Sequence, residues 1–276
     1  MKADLHVHSN YSDGSNTVEE IMEMAEQKGI THISLVDHDT VQGIEHAQEA
    51  GASRGITVIP AVEISAYDFK RNRKVHILGY AFNKEAEHIQ RLCTPLLQRR
   101  HENSLWQVEQ LQRNGFQVEL DEVKKQAAQG GIIYKQHIMA CLTDAHFSTQ
   151  EYKHMYKSLF KGDGICARDI KYVDANDAVK AIKRDGGYAV LAHPGQLDSF
   201  DMIPELVQSG LDGIERNHYD HIVQDIVKVE SYAAEYRLFM TGGSDYHGDF
   251  GTPIEIGDFD SPVKSIQLLF SNIKVL

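Results

Sequence analysis

Two rhythms of apolar and polar positions alternate along the first hundred residues. "TVEEIMEMAEQKG" places Val18, Ile21, Met22 and Ala25 at helical spacing and opens with Thr17 three residues before Glu20, the signature of a capping box. "ITHISLVDHDT" follows as a short β-branched and apolar run, which predicts a strand. The pair repeats in "TVQGIEHAQEAGASRG" and "ITVIPAVEISA", and again in "DAVKAIKRDGGYAVLAHPG", "IPELVQSGLDGIERNH" and "AAEYRLFMTGGSDYH". Strands alternating with helices predict parallel βαβ units, and six or seven such units predict an α/β fold closed or nearly closed into a barrel. Between about 83 and 164 the rhythm stops. "HIQRLCTPLLQRRHENSLWQVEQLQRNG" reads as one long helix, and "ELDEVKKQAAQG", "KQHIMACLTDAHF" and "TQEYKHMYKSLF" read as shorter ones. The expected layout is therefore a barrel built from 1–82 and 165–276, carrying a small helical insertion over 83–164.

The polar residues that interrupt the strand patterns are chemically selective. In "DLHVH", Leu5 and Val7 share one face, and Asp4, His6 and His8 share the other. Later strands also end in donors: "SLVDHD" in His38, "PAVE" in Glu63, "KVHILGY" in His76, "AVLAHPG" in His193, and "TGGSDYH" in Asp245 and His247. Asp13 follows the first strand in "SNYSDG". The carboxyl ends of barrel strands are where active sites are built. Six histidines and three carboxylates converging there would each be costly to bury without a partner, and divalent cations supply one. So imidazole-rich a set suits Mn²⁺, Zn²⁺ or Fe²⁺ better than Mg²⁺. Nine donors can serve two or three ions, with Glu63 shared. Excess positive charge at such a centre favours a phosphate dianion and a metal-bound hydroxide, the requirements of phosphoester hydrolysis.

Composition narrows the partners more than the fold. A formal net charge of −12 argues against long duplex nucleic acid, which needs a broad basic footprint. It leaves room for a small phosphorylated substrate, or a short single-stranded oligonucleotide, in a local basic pocket. The three cysteines Cys93, Cys141 and Cys166 have no CxxC spacing and are expected to be reduced thiols. No run suits a membrane span and no leader pattern precedes His6, so the expectation is a cytoplasmic protein without membrane association.

"DLHVHSNYSDGS", "LVDHDT", "AVEIS", "VHILGY", "LAHPG" and "GGSDYHG" together resemble the polymerase and histidinol phosphatase (PHP) family. The resemblance implies a distorted seven-stranded TIM-like barrel around a trinuclear metal centre. Carried onto this chain, it implies His6, His8, Glu63 and Asp245 on the first ion. Glu63, His76 and His193 would hold the second, and Asp13, His38 and His247 the third. The length is similar to the small free-standing PHP phosphoesterases, some of which act on nucleoside 3′,5′-bisphosphates or on the 5′ ends of short oligonucleotides. One motif departs from the family. Related chains often open the insertion helix with Arg-Pro-His, where this chain has "YKQHIM", so Lys135 stands in place of an arginine fork.

Lys135, His137, Arg168 and Arg216 are the expected phosphate contacts, with Arg216 and His218 also placed to assist the leaving group. Asp4, Asp37 and Asp39 are expected to orient ligand imidazoles. "FKRNRK" reads as a solvated hairpin tip. The function expected is metal-dependent hydrolysis of a small phosphoester. A histidinol-phosphate-type phosphomonoesterase and an amidohydrolase cutting C–N bonds are the enzymatic alternatives, and a non-catalytic metal-stabilised binding domain is the third.

Overall fold

The computed structural model describes residues 1–271. A first sheet pairs β1 (Ala3–Val7), β2 (His32–Leu35) and β3 (Thr57–Val58), all parallel. A second sheet contains β4 (Ala61–Asp68), β5 (Arg73–Tyr80), β6 (Val173–Asp174), β7 (Tyr188–Leu191), β8 (Gly213–Asn217) and β9 (Phe239–Gly242) in the order β6-β4-β5-β7-β8-β9. Single bridges join the two sheets, Val7 to Tyr246 at one seam and His38 to Glu63 at the other.

β5 departs from the parallel βαβ pattern and runs antiparallel to both β4 and β7, as the hairpin tip read in "FKRNRK" requires. Only residues 69–72 separate β4 from β5, too few for a crossover, so the chain turns back as a hairpin. At that tip Arg71 and Arg73 are tied to Asp68 and Asp201, and Arg71 also to Glu205, so the basic loop neutralises its own neighbours.

The helices follow from their sequence patterns. In α1 (Val18–Gln27) the capping box forms as read, and Val18, Ile21, Met22 and Ala25 are buried. The other helices of the α/β part are α2 (Ile44–Ala52), α7 (Ala175–Arg184), α8 (Ile203–Ser209), α9 (Val223–Tyr236) and α10 (Val263–Ser271). Between β5 and β6 lie α3 (Glu87–Arg113), α4 (Leu120–Gln126), α5 (Lys135–Ala140) and α6 (Gln150–Phe160). These four carry an apolar cluster of their own that includes Val108, Leu111, Ile138, Leu159 and Cys166. The amino-terminal half of α3 instead packs Ile89, Cys93 and Leu96 against Val75, Ile77 and Val179 of the main core. One helix of 27 residues, about 40 Å long, thus belongs to two cores and couples them mechanically.

The three cysteines are unpaired thiols; Cys93 lies within α3, whereas Cys141 caps α5 instead of lying inside it. Among the described residues no helix is long and apolar enough to cross a membrane.

Candidate metal centre

Every predicted donor lies on a strand or just beyond a strand end, and the seams bring those ends together. The amide of Asp245 donates to the His6 carbonyl (2.8 Å), and that of His8 to the Tyr246 carbonyl (2.9 Å). Gly243 is pressed so close to His6 that a Cβ there would sit 2.4 Å from the His6 amide, which requires glycine. Asp39, His193 and Asp245 adopt left-handed backbone, with φ of 62°, 23° and 52°. Non-glycine residues held this way cost about 1–3 kcal/mol each, and such strain concentrates at functional sites.

Glu63 occupies the middle. One carboxylate oxygen, Oε1, lies 2.9 Å from His76 Nδ1 and 3.0 Å from His193 Nε2. The other, Oε2, lies 3.1 Å from His8 Nε2, 3.3 Å from His6 Nε2 and 3.4 Å from His38 Nδ1. Asp245 Oδ1 closes on the same pair, 3.2 Å from His6 Nε2 and 3.3 Å from His8 Nε2. On the far side of His8, Asp13 Oδ1 stands 3.7 Å from its Nδ1 and 3.5 Å from His247 Nε2. Three compact donor groups result: His6, His8, Glu63 and Asp245; His38, Glu63 and His76; and His8, Asp13, His38 and His247. The first is the set that the family resemblance implies. In the second His38 takes part while His193 adjoins through Glu63, and in the third His8 joins the implied three.

The donor chemistry fits metal ions. Both ring nitrogens of His8 are buried without a hydrogen-bond partner, as are Asp13 Oδ1 and His193 Nδ1, although carboxylates lie within contact distance of His8. Lone pairs crowded together without hydrogen-bond partners are costly to bury, and a cation among them would offset that cost. The electrostatics agree. Burial alone would raise the carboxyls of Asp13, Glu63 and Asp245, but the attraction of surrounding histidines carries all three well below the usual range. Burial would lower His8, yet the adjoining carboxylates of Asp245 and Glu63 push it up to about 10, and His6 also rises, so the field favours positive charge. His38, with burial dominant, falls to about 3 and stays a neutral donor.

Several supporting residues differ from expectation. Asp4, Asp37 and Asp39 hold backbone and hydroxyl groups, not imidazoles. Asp4 accepts the amides of His6, Ser244 and Gly257; Asp37 accepts Ser9 and Ser12; Asp39 accepts the Ser65 amide and Arg100. The carboxylate that does orient a donor ring is Glu215, fully buried, whose oxygens meet His6 Nδ1 (2.8 Å) and the His193 amide (2.8 Å). Its neighbour Arg216 follows the opposite parity of β8 and pairs with Glu230 of α9, so it makes no contact in the centre. Arg168 is likewise committed elsewhere: its guanidinium stacks on Trp106 at 4.0 Å and donates to Asn103. His218 does join the cluster, with Nε2 3.2 Å from Asp245 Oδ2 and Nδ1 accepting the Asp220 amide.

Beside the donor cluster a cavity of about 190 Å³ is lined by Asp13, His38 and His76, and by Lys74, Arg100 and Lys135. The helical segment supplies its far wall. Gln136 donates to Asp13 (3.0 Å), the Tyr134 hydroxyl to the His38 carbonyl (2.9 Å), and Arg100 to Asp39 and Ser65 (2.8 and 2.9 Å). His137, by contrast, lies fully buried behind that wall, with Nδ1 accepting the Tyr134 amide and its ring 5.9 Å from Phe250. It is no cavity contact. Burial, only partly offset by Asp13, depresses it from 6.5 to about 4. A base depressed in the folded state remains neutral there while its unfolded counterpart binds a proton, so stability falls as pH drops from 6.5 toward 4. His137→Gln, which preserves an acceptor for Tyr134, is expected to remove on the order of 2 kcal/mol of that decline. Urea midpoints at pH 7 and pH 5 for both proteins check it; identical pH slopes would show that His137 is not the group responsible.

A mixed α/β scaffold whose strand ends gather histidines and carboxylates, faced by a cationic cavity, defines a metal-dependent phosphoesterase. The chain belongs to the PHP family: the PHP domain model matches residues 4–184. Among curated proteins it is 49% identical to the phosphoribosyl 1,2-cyclic phosphate 1,2-diphosphodiesterase of Eggerthella lenta over 93% of this chain and 98% of that one. It is 27% identical to a 5′-3′ exoribonuclease of Haemophilus influenzae over 99% of this chain and 97% of that one. Among solved structures, one from Bifidobacterium adolescentis described as a metal-dependent phosphoesterase superposes with a TM-score of 0.88 at 26% identity, covering 98% of this chain and 96% of that one.

Proposed function

We propose that the chain hydrolyses a compact phosphorylated pentose, first of all a phosphoribosyl 1,2-cyclic phosphate, with nucleoside 3′,5′-bisphosphates and the 5′ ends of short oligonucleotides as the wider class. The observation that carries this reading is the cavity itself. At about 190 Å³ it is below the roughly 300–1,000 Å³ of sites for drug-sized ligands, yet it joins predicted metal ligands to three cationic side chains. That suits one sugar with more than one phosphate group better than a strand of nucleotides. The 49% identity to a cyclic phosphodiesterase supports the same choice.

In this reading His6, His8, Asp13, His38, Glu63, His76, His193, Asp245 and His247 hold two or three Mn²⁺, Zn²⁺ or Fe²⁺ ions. When bound, such ions polarise the phosphoryl oxygens and lower the pKa of a coordinated water so that it serves as nucleophile. The protein's own residues do the rest. Glu63 and Asp245 balance charge and fix the spacing of the imidazoles. His218, its Nδ1 occupied by the Asp220 amide, presents a protonated Nε2 to Asp245 and supports that carboxylate. Arg100 and Lys135 face the substrate and offset its negative charge. The strands close across the two seams as the distorted seven-stranded barrel of the family. Residues 83–164 serve as the lid domain that shapes the cavity, in an enzyme of the cytoplasm.

The test is competitive turnover. Purified protein with Mn²⁺ is given phosphoribosyl 1,2-cyclic phosphate, adenosine 3′,5′-bisphosphate and a short 5′-phosphorylated RNA, followed by ³¹P NMR and chromatography. The expected outcome is that the cyclic ester is consumed with a kcat/KM at least tenfold above the others, a margin of about 1.4 kcal/mol in transition-state binding. Shortening of the RNA at a higher kcat/KM would replace this reading with the exoribonuclease one.

A further inference from the structure

The far end of the cavity carries two ammonium groups, Lys74 and Lys135, with one carboxylate, Asp169, beside them, and the hydrolytic centre uses neither lysine. Lys74 and His76 are two residues apart on β5 and share a face, which sets their Cα atoms about 6.5 Å apart. His76 contacts Glu63, whereas Lys74 is held outward by Asp169 (3.2 Å) and lies over the Tyr172 ring at 4.7 Å. The Tyr172 hydroxyl also donates to Asp169, so the lysine is anchored from two sides. Across the cavity Lys135, the first residue of α5, has no carboxylate within ion-pair distance among the described residues. Arg100 lines the same space and is already paired with Asp39. Two lysines against the single carboxylate of Asp169 leave a positive surplus. Burial, with Lys74, Lys161 and Arg100 adding to it, lowers the Lys135 amine to about 8 despite Asp169.

We propose that Lys74 and Lys135, backed by Arg100, form a subsite for a terminal phosphomonoester that is bound and not hydrolysed. Resting on the phosphopentose reading, this makes the 5-phosphate of the sugar the specificity handle. One same-face strand step separates Lys74 from His76, about the reach of a pentose ring and its ester arm, so one phosphate lies at the lysines when the other lies at the metal ligands. Lysine can fill this position because its ammonium binds phosphate as a compact point charge with three rotatable donors. No bond is made or broken at the subsite.

Binding and turnover test it separately. Calorimetry with ribose 5-phosphate and with ribose, on the metal-loaded protein, is compared among wild type, Lys74→Ala, Lys135→Gln and Lys135→Arg. Ribose 5-phosphate affinity is expected to fall on the order of 10- to 100-fold in Lys74→Ala and Lys135→Gln, and to recover partly in Lys135→Arg. In turnover, the preference for phosphoribosyl 1,2-cyclic phosphate over ribose 1,2-cyclic phosphate is expected to fall by the same factor, mainly through KM. Equal losses on both cyclic esters, or unchanged ribose 5-phosphate affinity, overturn the subsite. Retained dependence of ribose 5-phosphate binding on both lysines in a protein that ignores the cyclic ester would instead overturn the substrate reading alone.

Discussion

Replacing Glu63 by glutamine is expected to leave a folded protein that loses bound metal and at least about a thousandfold in kcat. Five histidines converge on this carboxylate: His76 and His193 on one oxygen, and His6, His8 and His38 on the other. Glutamine has nearly the same shape but presents an NH₂ group on one side, carries no charge and cannot join two cations. Metal-derived stabilisation of the transition state is worth several kcal/mol, and each 1.4 kcal/mol is tenfold in rate. Elemental analysis of the purified variant and its steady-state kinetics check both halves. A variant that keeps its full metal content and more than a tenth of the activity would mean that Glu63 does not tie the donor groups together.

Glu215→Gln should act more gently and in a different observable. Glu215 fixes the His6 ring through Nδ1 and the His193 backbone through the amide, both at 2.8 Å. A carboxylate there keeps the proton on Nδ1 and directs the Nε2 lone pair into the donor cluster. Removing such an outer partner typically costs 10–100-fold in metal affinity or activity. The expected result is a 10–100-fold weaker hold on Mn²⁺, measured by competition with a chelator, with activity restored at raised Mn²⁺. Metal affinity equal to wild type would reduce Glu215 to a packing residue.

Most of the nine candidate donors stand out in the sequence because they break a pattern. His6, His8, His38, Glu63, His76 and His193 are polar residues in or just past largely apolar runs, whereas Asp13, Asp245 and His247 lie in polar loops beyond the strand ends. The limits of that reasoning appear where two polar residues are adjacent. In "GIERNH" the alternation permits either Glu215 or Arg216 to point inward, and charge favours Arg216 for a phosphate site. The burial of Ile214 in the main core decides for Glu215, since Arg216 shares the Ile214 face of β8 and turns to Glu230 of α9. In "LLQRRHENS" the helical repeat does not say which arginine faces the centre until the crossing of α3 over the strands is known. Arg100 reaches Asp39, while Arg99 turns to the Lys171 carbonyl. Arg168 fails for a related reason, since Trp106 and Asn103 compete for its guanidinium. The antiparallel β5 was readable in principle, because the four residues 69–72 exclude a crossover.

The seam between the first strand and the last loop also orders events during synthesis. His6 and His8 leave the ribosome early, but Asp245 and His247 follow about 240 residues later, on the order of ten seconds or more at about 5–20 residues per second. Until then the His6 and His8 backbone lacks its partners Asp245 and Tyr246, and Asp4 lacks Ser244 and Gly257. Completion of the full donor set is therefore a late step. A chain interrupted before Asp245 carries most of the cluster's histidines but cannot complete it, so incomplete products lack the ligand-linked stabilisation that a complete site would allow.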